Sequence, residues 1–136
     1  MNASYYPVAI VTLLSALVYF GMAAQVARAH HKTGILAPAM TGDPVLERTI
    51  RAQTNTLEWM PIFLPSLWLF AIYWNAVAAA ILGAIWIVGR IIYFFGYVAA
   101  PTKRRTGFFI QSAAAFTLLL GALGRIIYLA VTGAVS

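Results

Sequence analysis

Between residues 46 and 58 the chain sets Glu47, Arg48, Arg51, Gln53, Asn55 and Glu58 just ahead of an almost purely apolar run. At about 100° per residue, Arg51, Asn55 and Glu58 fall within about 60° of one another on one helical face. A second stripe, Arg90, Tyr93 and Tyr97, follows i, i+3, i+7 spacing and also shares a face. Each stripe has a plainer origin. Arg48 and Arg51 can snorkel to lipid phosphates from a helix start, and tyrosines near a helix end form interfacial belts. Neither origin accounts for Glu58, well inside its helix, or Arg90, seven residues before Tyr97. A charge at the bilayer centre costs about 2.5–3.5 kcal/mol even on the lenient insertion scale, so intramembrane ionisable groups are functional by default.

That argument requires a membrane, and the composition supplies one. The 136 residues are 62% hydrophobic and 9% charged, against about 45–50% and about 25% in soluble domains. So small a soluble domain cannot hide that much apolar surface. Disorder is excluded by the same content. The net charge of +6 rests on only nine Lys and Arg, a poor basis for nucleic-acid binding. With no cysteine there is no disulfide, thiolate nucleophile or Cys-based metal site.

A helical span needs roughly 20 apolar residues. The sequence predicts four, at 7–27, 45–74, 76–99 and 107–131, and hence an all-α integral membrane protein, a four-helix bundle in one domain over 1–136. The first span is too long for a signal-peptide core. A Gly-, Pro- and Thr-rich stretch over 33–44 reads as a loop, and Asn75 as a short turn. The first and third connections lie on one side of the membrane. They collect Arg28, Lys32, Arg48, Arg51, Lys103, Arg104 and Arg105, seven of the nine Lys and Arg. The connection at Asn75 carries none. The positive-inside rule puts the charged connections in the cytoplasm and both termini on the opposite side.

The two polar stripes then sit at the cytoplasmic ends of their helices, at one membrane depth. With Arg28 and Arg104 they are expected to form a cationic pocket with one carboxylate, suited to a small ligand with several carboxylates and an amine. His30 and His31 lack acidic partners at metal-ligand spacing and read as surface imidazoles; no metal site is expected. Pro61 and Pro65 are tolerated where neighbours satisfy the freed carbonyls. Gly121 and Gly124 are expected to allow close helix packing, and Arg125 to snorkel to the far interface.

The run from Glu47-Arg48 through Arg51-Ala52-Gln53 to Asn55, Glu58 and Pro61 resembles the MAPEG superfamily, membrane-associated proteins in eicosanoid and glutathione metabolism. Gly89-Arg90 to Tyr93-Phe94-Phe95-Gly96-Tyr97, and Lys103-Arg104-Arg105-Thr106-Gly107-Phe108, match in the same order. The similarity is greatest to the branch holding microsomal glutathione transferases and leukotriene synthases. It implies a homotrimer with glutathione as co-substrate between neighbouring subunits, and a lipophilic electrophile or hydroperoxide drawn from the bilayer. Carried over residue by residue, Arg51, Asn55, Glu58, Tyr93 and Tyr97 hold the tripeptide. Arg90 joins these glutathione-binding residues, Gln53 and Arg28 assist, and Arg104 is the catalytic residue beside the sulfur. No protein nucleophile is then required.

The chain departs from that pattern at three places. Ala29 stands where leukotriene-forming relatives carry a second arginine. Trp59 replaces a usual tyrosine or phenylalanine, and Thr56 a frequent cysteine; both changes are expected to alter a lipid-facing cleft. Two rival functions share the helices: a non-catalytic lipid-binding scaffold of the same fold, and a small oligomeric transporter with Glu58 as its proton-coupled group. Transport favours a pathway to both sides, whereas the polar residues here cluster on one.

Overall fold

The computed structural model describes residues 3–133. Both chain ends, assigned by charge to the side opposite the basic connections, lie outside the described residues. Four long helices follow a short 3-10 turn: α1 (Tyr6–Thr33), α2 (Pro44–Tyr73), α3 (Ala76–Ala99) and α4 (Arg105–Thr132). A second 3-10 turn, Pro101–Arg104, joins α3 to α4. Each of the four is long and apolar enough to cross a membrane.

Local chemistry sets the boundaries. The α1 helix runs six residues past the predicted span, because the apolar pattern marks the edge of hydrocarbon and not the end of the helix. Its last turn carries His30, His31 and Lys32, cations that complement the helix dipole. Gly34 ends it at φ 75°, donating its N–H to the His30 carbonyl. Asp43 caps α2, its Oδ1 accepting from Leu46 N at 2.9 Å, and Pro44 opens the first turn. Asn75 caps α3 in the same way, through Ala78 N at 2.8 Å. The α2 helix continues through Pro61 and Pro65. Just beyond Pro65, the Ser66 hydroxyl donates to the Ile62 carbonyl at 2.6 Å.

The α2 and α3 helices form the centre, with α1 packed on both from one side and α4 on both from the other. Phe63 of α2 stacks on Trp86 of α3 at 3.9 Å between centroids, nearly parallel, among Val8, Leu67, Ala115 and Leu118. Leu13, Phe20 and Phe109 point outward and are at least 71% exposed, as a lipid-facing surface requires.

The α3 and α4 backbones approach closely at glycines other than those the sequence suggested. A Cβ on Gly89 would lie 2.6 Å from the Gln111 nitrogen, and one on Gly107 would collide with the Tyr93 backbone. Gly121 does meet a neighbour, the Phe70 ring, whereas Gly124 faces open space. Arg125 stays at the far end, its Nε donating to the Tyr73 carbonyl and its guanidinium 5.0 Å from the Trp74 ring centroid.

Candidate functional site

On α2, Arg51 and Glu58 reach over the intervening helical turns and pair at 2.8 Å, Nη1 to Oε1. Both side chains stay about half exposed, at 52% and 51%. A 420 Å³ shallow cavity beside them is lined by Arg51, Arg48, Thr54 and, from the end of α3, Tyr97. Arg104, exposed in the turn before α4, holds its Cζ 5.0 Å from the Tyr97 ring centroid. Tyr97 in turn contacts Tyr93 at 5.7 Å between centroids. Arg51 and Tyr97 line this cavity; Glu58 is tied to it through Arg51 and Arg104 through the Tyr97 ring, with Tyr93 buried behind Tyr97.

Arg90 lies beneath this opening and not in it. Expected as a ligand contact, it is 0% exposed. Its Nε and Nη2 donate to Thr56 Oγ1 at 3.2 and 2.6 Å, and Nη2 also donates to Asn55 Oδ1 at 3.0 Å. Its Cζ sits 4.3 Å from the Tyr93 ring centroid, a cation–π contact. An arginine only donates, so Asn55 turns its oxygen toward Arg90. Arg90 thus bonds Asn55 and Thr56 and packs against Tyr93 from inside the bundle. Thr56, expected to shape a lipid-facing cleft, is 1% exposed and is the acceptor that holds Arg90. Trp59 does line the α2–α4 side, packing edge-on against Phe108 and Phe116 at 5.9 and 6.0 Å.

Two further residues lie apart from Arg51 within the chain. Arg28 does not join Arg51 within the chain. It lines a separate cavity between α1, α2 and α3, with Lys32 and Asp43. The reason is topological: α1 packs on the far side of the α2–α3 pair from α4 and Arg104. Gln53, half-buried, lies about 200° round α2 from Arg51 and so faces away from it. Arg48, read as a snorkelling residue, instead donates from Nε and Nη2 to the Val98 carbonyl at 3.2 and 3.1 Å. It satisfies an end carbonyl of α3, whose last turn carries no cation of its own. That lack was the available signal. His30 Nδ1 bonds the Ile35 carbonyl at 2.8 Å and so braces the turn after α1.

Residues 8–124 match the MAPEG family. The chain belongs to this family. An uncharacterized protein of Synechocystis sp. is 46% identical over 120 residues, 88% of each chain. Microsomal glutathione S-transferase 2 of Homo sapiens is 45% identical over 117 residues, covering 85% of this chain and 80% of its own. Leukotriene C4 synthase of Cavia porcellus is 37% identical over 117 residues, covering 85% and 78%. Among MAPEG chains the four apolar helices are those of a multi-pass membrane protein. Its polar opening lies at the end of the bundle where α2 begins and α3 finishes.

Proposed function

We propose that this chain is a membrane glutathione transferase that activates glutathione as a thiolate and conjugates it to lipophilic electrophiles. The observation that carries this reading is the exposed Arg51–Glu58 pair beside Asn55, Tyr97 and Arg104. Glutathione carries two carboxylates and one ammonium. The Arg51 fork suits a carboxylate, Glu58 suits the ammonium, and the Asn55 NH2 donates to a further oxygen. Tyr93 and Tyr97 wall the site. The Arg51–Glu58 bond is exchanged on binding for two bonds to the ligand, so neither charge is left alone.

A thiol with pKa near 8.5 is mostly protonated at neutral pH. The Arg104 guanidinium, positioned over Tyr97, favours the charged form, and each unit of depression is worth about 1.36 kcal/mol. The thiol proton passes to water. The sulfur lone pair then forms a carbon–sulfur bond while the electrophile's leaving group, or its opened ring oxygen, takes the displaced pair. In a peroxidase reaction, two glutathiones become the disulfide as a hydroperoxide becomes alcohol and water.

This reading includes a homotrimer, with Gln53 reaching the site from a neighbouring copy, and an opening toward the cytoplasm. The similarity to microsomal glutathione S-transferase 2 supports it, as does the one-sided placement of the polar groups. The test is titration of the purified protein with glutathione while following ultraviolet thiolate absorbance. A saturable signal at neutral pH supports the enzyme; binding of lipid without any glutathione signal would mean a scaffold.

A further inference from the structure

Two cavities lie on the α1 side of the bundle, away from Arg51 and Glu58. The first, about 400 Å³, opens at the end of α1, with Arg28, Lys32 and Asp43 at its mouth. The second, about 220 Å³, lies deeper and is apolar, against Gly21 and Met22. Gln25, Phe94 and Phe95 line both, which makes them one groove with a charged mouth and an apolar floor.

The charges at the mouth do not cancel. Arg28 and Lys32 lie one turn apart on α1, facing one carboxylate, and Asp43 Oδ1 is already engaged in capping α2. Lys32 has no part in the glutathione reading. The groove also has a length. From Gly21 to Lys32 is eleven residues, roughly 16 Å along the helix, against about 15 Å for one leaflet of hydrocarbon. A soluble anion would leave the apolar half of such a groove wetted. An uncharged chain would leave the two cations unmatched.

We propose that this groove is a binding site for an anionic phospholipid of the leaflet surrounding the α1 C-terminal end. The phosphate sits at Lys32 and Arg28, and one acyl chain runs past Gln25 onto Phe94, Phe95, Met22 and Gly21. Phosphate oxygens offer several acceptors to two cations at once, and basic groups at this depth favour anionic headgroups. Gly21 keeps the floor open, since a Cβ there would meet nothing within 4 Å.

The test uses the intact protein in phosphatidylcholine bilayers, with phosphatidylglycerol or phosphatidylcholine spin-labelled on the acyl chain. The motionally restricted fraction gives relative affinity. The wild type should retain phosphatidylglycerol preferentially. Lys32→Gln should lower that preference about fivefold. Gly21→Leu should abolish it by filling the floor, with helicity by circular dichroism unchanged. Lys103→Gln, a cation outside the groove, should leave it intact. The proposal is overturned if both probes are held equally by the wild type, or if Lys103→Gln acts as strongly as Lys32→Gln. A Gly21→Leu protein that folds and keeps the preference overturns it as well, as does tighter retention of a spin-labelled fatty acid.

Discussion

Arg90 Nη2 and Thr56 Oγ1 are bonded at 2.6 Å across the α2–α3 interface, with both residues almost completely buried. The same hydroxyl donates to the Ala52 carbonyl at 2.9 Å, so its lone pairs are free to face the guanidinium. Thr56→Val keeps the shape and removes the acceptor. It should cost about 1.5–3 kcal/mol, the range for hydrogen bonds to charged groups, and lower the thermal midpoint in detergent. Thr56→Cys, a weaker acceptor, should fall between. Equal midpoints for all three proteins would mean that Arg90 is held by Asn55 and Tyr93 alone.

Arg51 and Glu58 make the contrasting case. Their pair is half exposed, and such pairs contribute about 0–1 kcal/mol to stability. Arg51→Ala and Glu58→Gln should therefore leave the thermal midpoint nearly unchanged. Each should weaken glutathione binding by roughly 10- to 150-fold, the equivalent of about 1.5–3 kcal/mol for one charge-assisted contact. Arg125→Ala, at the far end of the bundle, should bind normally. Isothermal titration on the three variants checks this, and equal affinity throughout would assign the pair to the lipid interface.

Gly107→Ala should fail to assemble the native bundle. A methyl group there meets the Tyr93 backbone, which cannot swing aside as a flexible side chain would. Gly124→Ala, facing open space, should be silent or slightly stabilising, since alanine is the better helix former. Comparison of monodisperse yield and helicity decides between them. A well-folded Gly107→Ala protein would show that α4 can shift away from α3.

Reporter fusions should fix the orientation. Fusions after Ala37 and Lys103 should report the cytoplasm, and a fusion at Asn75 the opposite side, because the basic residues crowd one pair of connections. A cytoplasmic signal at Asn75 would close the route for cytosolic glutathione.

The four spans were legible because four apolar runs of bilayer length in so short a chain leave too little polar surface to cover them in water. Asn75 was legible because asparagine favours turns and helix N-caps, and its side chain caps α3. The Arg51, Asn55 and Glu58 face followed from helical periodicity alone. What periodicity does not encode is which faces meet. Arg90 shares a face with Tyr93 and Tyr97, yet that face meets α2 at Thr56, so its Nε and Nη2 bond inside the protein while Nη1 is buried without a partner among the described residues. Arg28 shares the cationic end of the bundle with Arg51, but helix order places them in different cavities. Gly89 and Gly107 were missed because a close approach depends on two backbones, and only one is visible in any stretch of sequence.

Arg104 separates binding from chemistry. It is exposed, and its guanidinium rests over Tyr97, which lines the cavity beside Arg51. If it stabilises the thiolate, Arg104→Ala should still bind glutathione but hold it mostly as the thiol. The thiolate absorbance would then appear only at higher pH, and turnover would fall in kcat more than in KM. The sign follows from charge: removing a cation disfavours the anion, so the thiol pKa must rise. Arg104→Lys retains the charge without the planar fork and its stacking on Tyr97, and should recover part of the shift. Arg105, inside the first turn of α4, is the control. A pH titration of thiolate absorbance on glutathione-saturated protein compares the four. An unchanged pKa in Arg104→Ala, or a larger shift in Arg105→Ala, would assign thiol activation to a different arginine.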